Sequence, residues 1–118
     1  MDSQEFVDVV KHVVGDGAVS ATLSSLEHPP GKRPLQEMKD RADWYASLDE
    51  NGRRLLASTV RAAVEQALFS FLCVLDGVSA IENPPQKGRL ELSYVRDTSV
   101  LLNPPDGPML HDLLKRGS

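Results

Sequence analysis

The chain has one cysteine in 118 residues, Cys73. A single thiol closes no intrachain disulfide and builds no cysteine metal cluster. Cys73 sits in the apolar run ALFSFLCVL, where it reads as a small buried hydrophobe. Such surroundings raise a thiol pKa, which argues against a reactive thiolate pair with His111. Histidine is also scarce: His12 and His28 lie in the N-terminal quarter, far in sequence from His111-Asp112. That leaves too few ligands for a first-row metal site, which usually wants three or four. No Gly-x-Ser-x-Gly turn and no glycine-rich phosphate loop is present. No catalytic residue, metal or cofactor is therefore expected.

Basic charge is in short supply, with 13 Lys and Arg against 17 Asp and Glu, net −4. Phosphate binding needs a concentrated basic surface, so nucleic acid is not the expected partner. The imbalance is local: residues 1–82 hold thirteen acids and eight bases (−5), and residues 83–118 hold four and five (+1). An acidic front part favours a basic protein partner. Uninterrupted apolar stretches fall well short of the ~20 residues of a membrane span. The opening MDSQEFVDVVKHVV lacks the basic region and small-residue cleavage site of a signal peptide. A cytoplasmic location is expected.

What is present is an ordinary globular composition, 41% hydrophobic and 25% charged, and a length that suits a single domain over 1–118. Asp2 and Ser3 are good N-caps for a helix carrying Phe6, Val7, Val9, Val10, Val13 and Val14, which should end at Gly15-Asp16-Gly17. AVSATLSSL follows as a short helical or extended piece, and EHPPGKRP reads as a loop. LQEMKDRADWYASL places Leu35, Met38, Ala42 and Tyr45 on one helical face. Ser47-Leu-Asp-Glu50 matches a capping box, so Ser47 should start the next helix, with Gly52 weakening its first turn.

That helix runs to Gly77, a suitable C′ residue. Its stripe is Leu56, Val60, Ala63, Ala67, Phe71 and Val74, widened by Leu55, Leu68, Leu72 and Leu75. The second half is apolar nearly all round, as in a helix entering a core, so Leu68 and Phe71 are both expected to be buried. A rival reading makes FSFLCVLDGVSAI a hairpin through Asp76-Gly77. The unbroken helical period favours the helix.

Beyond Gly77 the period becomes two. RLELSYV alternates Leu90, Leu92 and Tyr94 with Glu91 and Ser93, RDTS turns, and VLLN returns. Asn-Pro-Pro stands on both sides, at 83–85 and 103–105. Proline cannot donate to a strand ladder, so these phrases read as the hairpin's punctuation. PMLHDLLKR closes as a short amphipathic helix.

Two candidate sites emerge. The first is the acidic-aromatic surface around Glu37, Asp40, Asp43, Trp44 and Tyr45, with Asp49 and Glu50 close by. Tryptophan and tyrosine are enriched at interface hot spots, and carboxylates steer basic partners. The competing reading packs Trp44 into the core beside Tyr45, because a lone tryptophan is usually highly buried. The second is a pocket near the end of the long helix, formed by Asp76, Glu82 and His111. Against it, an Asp before a C-cap glycine is commonly a turn or hydrogen-bonding residue, and His111 reads as the exposed start of the last helix.

The order ALFSFLCVLDGVSAIE, RLELSYV, LHDLL resembles small bacterial proteins of uncharacterised or immunity-protein type over the C-terminal half. The resemblance implies a buried helix leading through a Leu-Asp-Gly turn to a short sheet, and it transfers no site residues. The expected fold is α+β and mostly helical, with three to four helices around a central helix 50–76 plus a C-terminal β-hairpin. The expected function is non-catalytic protein binding, as an immunity or antitoxin-like inhibitor of a bacterial toxin. The alternative is a small enzyme or ligand-binding domain using the pocket.

Overall fold

The computed structural model describes residues 1–83 and 88–116. Pro84 and Pro85 of the first Asn-Pro-Pro phrase lie outside the described residues. The fold is α+β and mostly helical. Its order is α1 (Ser3–Val9), a π-helical segment (Val10–Asp16), α2 (Gly17–Glu27), α3 (Gln36–Ser47), α4 (Glu50–Leu75), β1 (Ser93–Val95), β2 (Ser99–Leu101) and α5 (Leu110–Arg116). The chain divides into two compact units, one of residues 1–14 with 66–118 and one of residues 15–65.

Asp2 caps α1 as its sequence position suggests, its Oδ1 accepting from Glu5 N at 2.8 Å. The expected stop at Gly15-Asp16-Gly17 does not occur. Helix continues through seven residues of wider π turns straight into α2. A glycine ends a helix by taking a positive φ. Among the described residues only Gly31 and Gly77 do so, and Gly15 and Gly17 simply stay helical.

In the unit of residues 15–65, α2 packs on α3. Val19, Leu26 and Tyr45 are its buried apolar side chains. The capping box is also corrected. Ser47 closes α3, its hydroxyl donating to Trp44 O at 2.6 Å. Asp49 opens α4, accepting from Gly52 N through Oδ1 at 2.7 Å. Asp and Ser are comparable N-caps, and a Cβ on residue 52 would come within 3.1 Å of that same Asp49 oxygen. Gly52 N is thus the donor that closes the first turn. Arg61 of α4 pairs with Asp16 at 3.0 Å, both side chains half exposed.

In the other unit α1 packs on α5. Val7, Leu72, Leu110, Leu113 and Leu114 form the core, with Phe6, Leu68, Phe69, Leu75 and Leu92 against it. The buried side of α4 is not the one expected. Leu72 is 1% exposed and its neighbour Phe71 is 60% exposed. Val60, Val64 and Leu68 lead to Leu72 on the sheltered side, and Ala63 and Ala67 lie outside it. An all-round apolar segment carries no phase information, so its pattern does not distinguish the side through Leu72 from the side through Phe71.

α4 reaches the core only near its C-terminal end, through Leu72 with Leu68, Phe69 and Leu75 beside it. It is 26 residues long, and its most apolar 18-residue window has mean hydropathy 1.3 and is only 11% buried. By length and composition alone it could cross a membrane, because isolated polar residues break the apolar run without lowering its average enough.

Gly77 ends α4 with φ +78°. Val78 N bonds Cys73 O at 3.0 Å and Gly77 N bonds Val74 O at 3.1 Å, the paired bonds of a Schellman motif. The hairpin is present but shorter than RLELSYV. Ser93 pairs with Leu101, Tyr94 with Val100 and Val95 with Ser99. Its root is held by Leu102 N to Leu92 O at 2.8 Å, with Leu102 buried and Leu92 packed on the core. Its strands are exposed apart from the partly sheltered Leu101, so the alternation of Leu90, Leu92 and Tyr94 buries only the middle residue in part.

Candidate functional site

The end of α4, the segment 88–92, the phrase beginning at Asn103 and the start of α5 meet through two polar side chains. Asn103, 7% exposed, is one. Its Nδ2 donates to Leu75 O and to Leu90 O, both at 2.9 Å, and its Oδ1 accepts from Leu92 N at 2.9 Å. Both amide hydrogens and the oxygen are thus engaged, tying the end of α4 to the segment 88–92. Pro104 to Gly107 then turns the chain, Gly107 N reaching Pro104 O at 3.2 Å. A Cβ at 107 would fall 2.7 Å from the Pro104 ring, so the turn demands glycine. The second Asn-Pro-Pro phrase is punctuation with a specific mechanism: an asparagine staple followed by a tight turn.

Asp76 is the other. Its Oδ1 accepts from Leu110 N at 3.0 Å and its Oδ2 from His111 N at 2.9 Å. His111 Nδ1 lies 2.6 Å from the same Oδ2. A carboxylate only accepts, so Nδ1 carries the proton of that bond. The side chains are 3% and 13% exposed respectively. Asp76 caps α5 from across the unit, an anion at a helix N-terminus. His111 is consequently not the exposed helix start expected from sequence. Phe69 meets its ring edge-on at 5.5 Å, and Nε2 faces Asp112 Oδ1 at 3.4 Å. The imidazole is thus held between two carboxylates and an aromatic edge. Burial pushes the Cys73 thiol up, Asp76 and Asp112 add to the shift, and Lys115 opposes it. A neutral thiol is a poor nucleophile.

Beside these staples lies a cavity of about 420 Å³. Asp76 and Glu82 line it, as expected; His111 does not and reaches it only through Asp76. Val74, Leu75, Ile81, Leu90 and Met109 supply the apolar wall. Arg89 also lines it, a residue the sequence reading missed because an isolated arginine in a loop carries no pattern.

The acidic-aromatic surface belongs to α3, in the unit of residues 15–65. Trp44 is 50% exposed and Tyr45 is 9% exposed. Tyr45 is buried, as its place on the Met38-Ala42-Tyr45 face implies, and so is not part of the exposed surface; Trp44 does not join it in the core. The Arg53 guanidinium lies 4.9 Å over the Tyr45 ring and donates to Ala46 O at 3.2 Å. Glu37, Asp40 and Trp44 are all exposed, and their spacings of three and four put them on one face of α3. Asp43 is exposed at its edge, and Gln36 Nε2 holds Asp40 Oδ1 at 2.9 Å.

Nothing matches this chain among family models, curated proteins or solved structures. The α3 face offers an aromatic among carboxylates, suited to a protein partner. The cavity offers apolar walls with fixed charges, suited to a small ligand.

Proposed function

We propose that this chain acts by binding a protein, and that a basic partner meets α3 through Trp44, Glu37, Asp40 and Asp43. The observation that supports this reading is the half-exposed Trp44 on the same helical face as two carboxylates. Tryptophan is among the side chains most enriched as anchors at protein interfaces. Carboxylates around it raise the encounter rate with a positive surface and discourage acidic partners. The net charge of −4 acts in the same direction. Inhibition of a basic toxin in the bacterial cytoplasm, in the manner of an immunity or antitoxin-like protein, is the specific form we propose.

The test is co-purification from the source cells with the tagged full chain, Trp44→Ala and the double variant Asp40→Lys/Asp43→Lys. One protein retained by the parent and lost by both variants, at unchanged melting temperature, supports the proposal. Equal retention by all three chains removes α3 from the interface.

A further inference from the structure

We infer that the cavity at the end of α4 binds a small zwitterion with an apolar side chain, a free hydrophobic amino acid being the simplest example. Its volume, about 420 Å³, falls within the range of small-molecule sites. The wall from Val74, Leu75 and Ile81 on one stretch of chain, and from Leu90 and Met109 on others, is apolar. Ile81, Leu90 and Met109 stay 64%, 40% and 44% exposed, so an apolar occupant would shelter surface that the unit leaves in water.

The charges select the polar end. Glu82 and Arg89 both line the cavity, and among the described residues neither forms an ion pair with the other or with a third group. Each is instead held by one backbone contact. Glu82 Oε2 accepts from Gly88 N at 2.7 Å, and an Arg89 Nη donates to Asn103 O at 2.8 Å. A carboxylate with one oxygen so engaged keeps acceptor sites for an ammonium, and a guanidinium with one N–H engaged keeps four donors for a carboxylate. Restraint by the backbone lowers the entropy cost of using them. Asp76 also lines the cavity and keeps its negative charge, but both its oxygens are bonded to α5 and its side chain is 3% exposed, so Glu82 is the carboxylate open to a ligand. One available anion, one available cation and an apolar wall together match an ammonium, a carboxylate and a hydrocarbon on one molecule.

The experiment is NMR titration of the full chain with L-leucine, L-methionine, N-acetyl-leucine, leucinamide and L-serine. Leucine and methionine should shift the signals of Val74, Ile81 and Met109. N-acetyl-leucine, lacking the ammonium, and leucinamide, lacking the carboxylate, should each bind about tenfold more weakly or worse, the loss of a charge-assisted contact. Serine should bind more weakly than leucine. Glu82→Gln should abolish the preference for the free amine, and Arg89→Gln the preference for the free acid. Absence of shifts with every compound overturns the inference. Equal affinity for leucine and its two blocked forms also overturns it, leaving a groove that reads only hydrocarbon. The blocked ligands test the parent protein, so the result does not depend on either variant folding.

Discussion

Asp76 and His111 are joined at both backbone and side chain: one carboxylate accepts from the His111 amide at 2.9 Å and faces its Nδ1 at 2.6 Å. The end of α4 thereby fixes the start of α5. A helix of seven residues has little stability of its own, so α5 depends on this anchor and on the burial of Leu110, Leu113 and Leu114.

Asp76→Ala should therefore cost about 2–3 kcal/mol, because it removes charged hydrogen bonds and leaves donors unpaired. Asp76→Asn keeps the acceptor oxygen and should cost less. His111→Ala, losing only the side-chain contact, should fall below Asp76→Ala. Urea denaturation of the three variants checks this ordering. An Asp76→Ala chain as stable as the parent would show that α5 needs no cap.

Asn103 makes the same kind of claim about the hairpin. Asn103→Ala strips partners from Leu75 O, Leu90 O and Leu92 N at once, and should lower stability by about 2–3 kcal/mol. Hydrogen exchange should rise first at Leu92 and Leu102, whose amides join the hairpin root to the unit. Uniform acceleration across α4 and the hairpin alike would mean that the asparagine is no local staple.

Adjacent residues on α4 supply a sharper contrast. Leu72→Ala should cost about 2–5 kcal/mol, as expected for truncating a buried leucine. Phe71→Ala removes a side chain that is mostly in water and should cost less than about 1 kcal/mol. Comparable losses would put the helix in the other phase.

These cases show where sequence was informative. Local chemistry was legible: the Asp2 cap, the Gly77 stop, the hairpin turn and the closing helix all follow from residue type and spacing. The pocket carboxylates Asp76 and Glu82 were found because they flank that stop. Three things were not legible. Gly15 and Gly17 suit both a helix end and a π-helical passage, since glycine permits either backbone. The segment 67–75 is too uniformly apolar to show which side is buried. Trp44 is the third: a lone tryptophan beside the apolar face of Met38, Ala42 and Tyr45 suits core or surface, and the packing of α2 on α3 leaves it half exposed.

The thiol of Cys73 gives a pH test. Burial raises its pKa above the ordinary 9.0, so the folded chain holds the proton where the unfolded chain has released it. The resulting stabilisation is fully present below the unfolded value and is lost as pH rises through the folded one. Alkylation should be slow in the native protein at pH 8 and fast in denaturant. Stability should fall on the alkaline side with a component that Cys73→Ala removes; native alkylation at the free-thiol rate would contradict the buried placement.

The last test separates Trp44 as an anchor from Trp44 as a structural residue. At 50% exposure, Trp44→Ala should change folding stability by less than about 1 kcal/mol. Its loss should instead speed dissociation from the partner identified by co-purification, weakening binding by about 2 kcal/mol or more. Charge reversal at Asp40 and Asp43 acts on a different step. It should slow association, and the effect should shrink with added salt as the Debye length falls from ~10 Å at 0.1 M to ~3 Å at 1 M. Surface plasmon resonance at two salt concentrations, with melting curves beside it, reads both steps. A large loss of stability in Trp44→Ala would return the tryptophan to the core. Unchanged association for the reversals would mean that the carboxylates of α3 face only water.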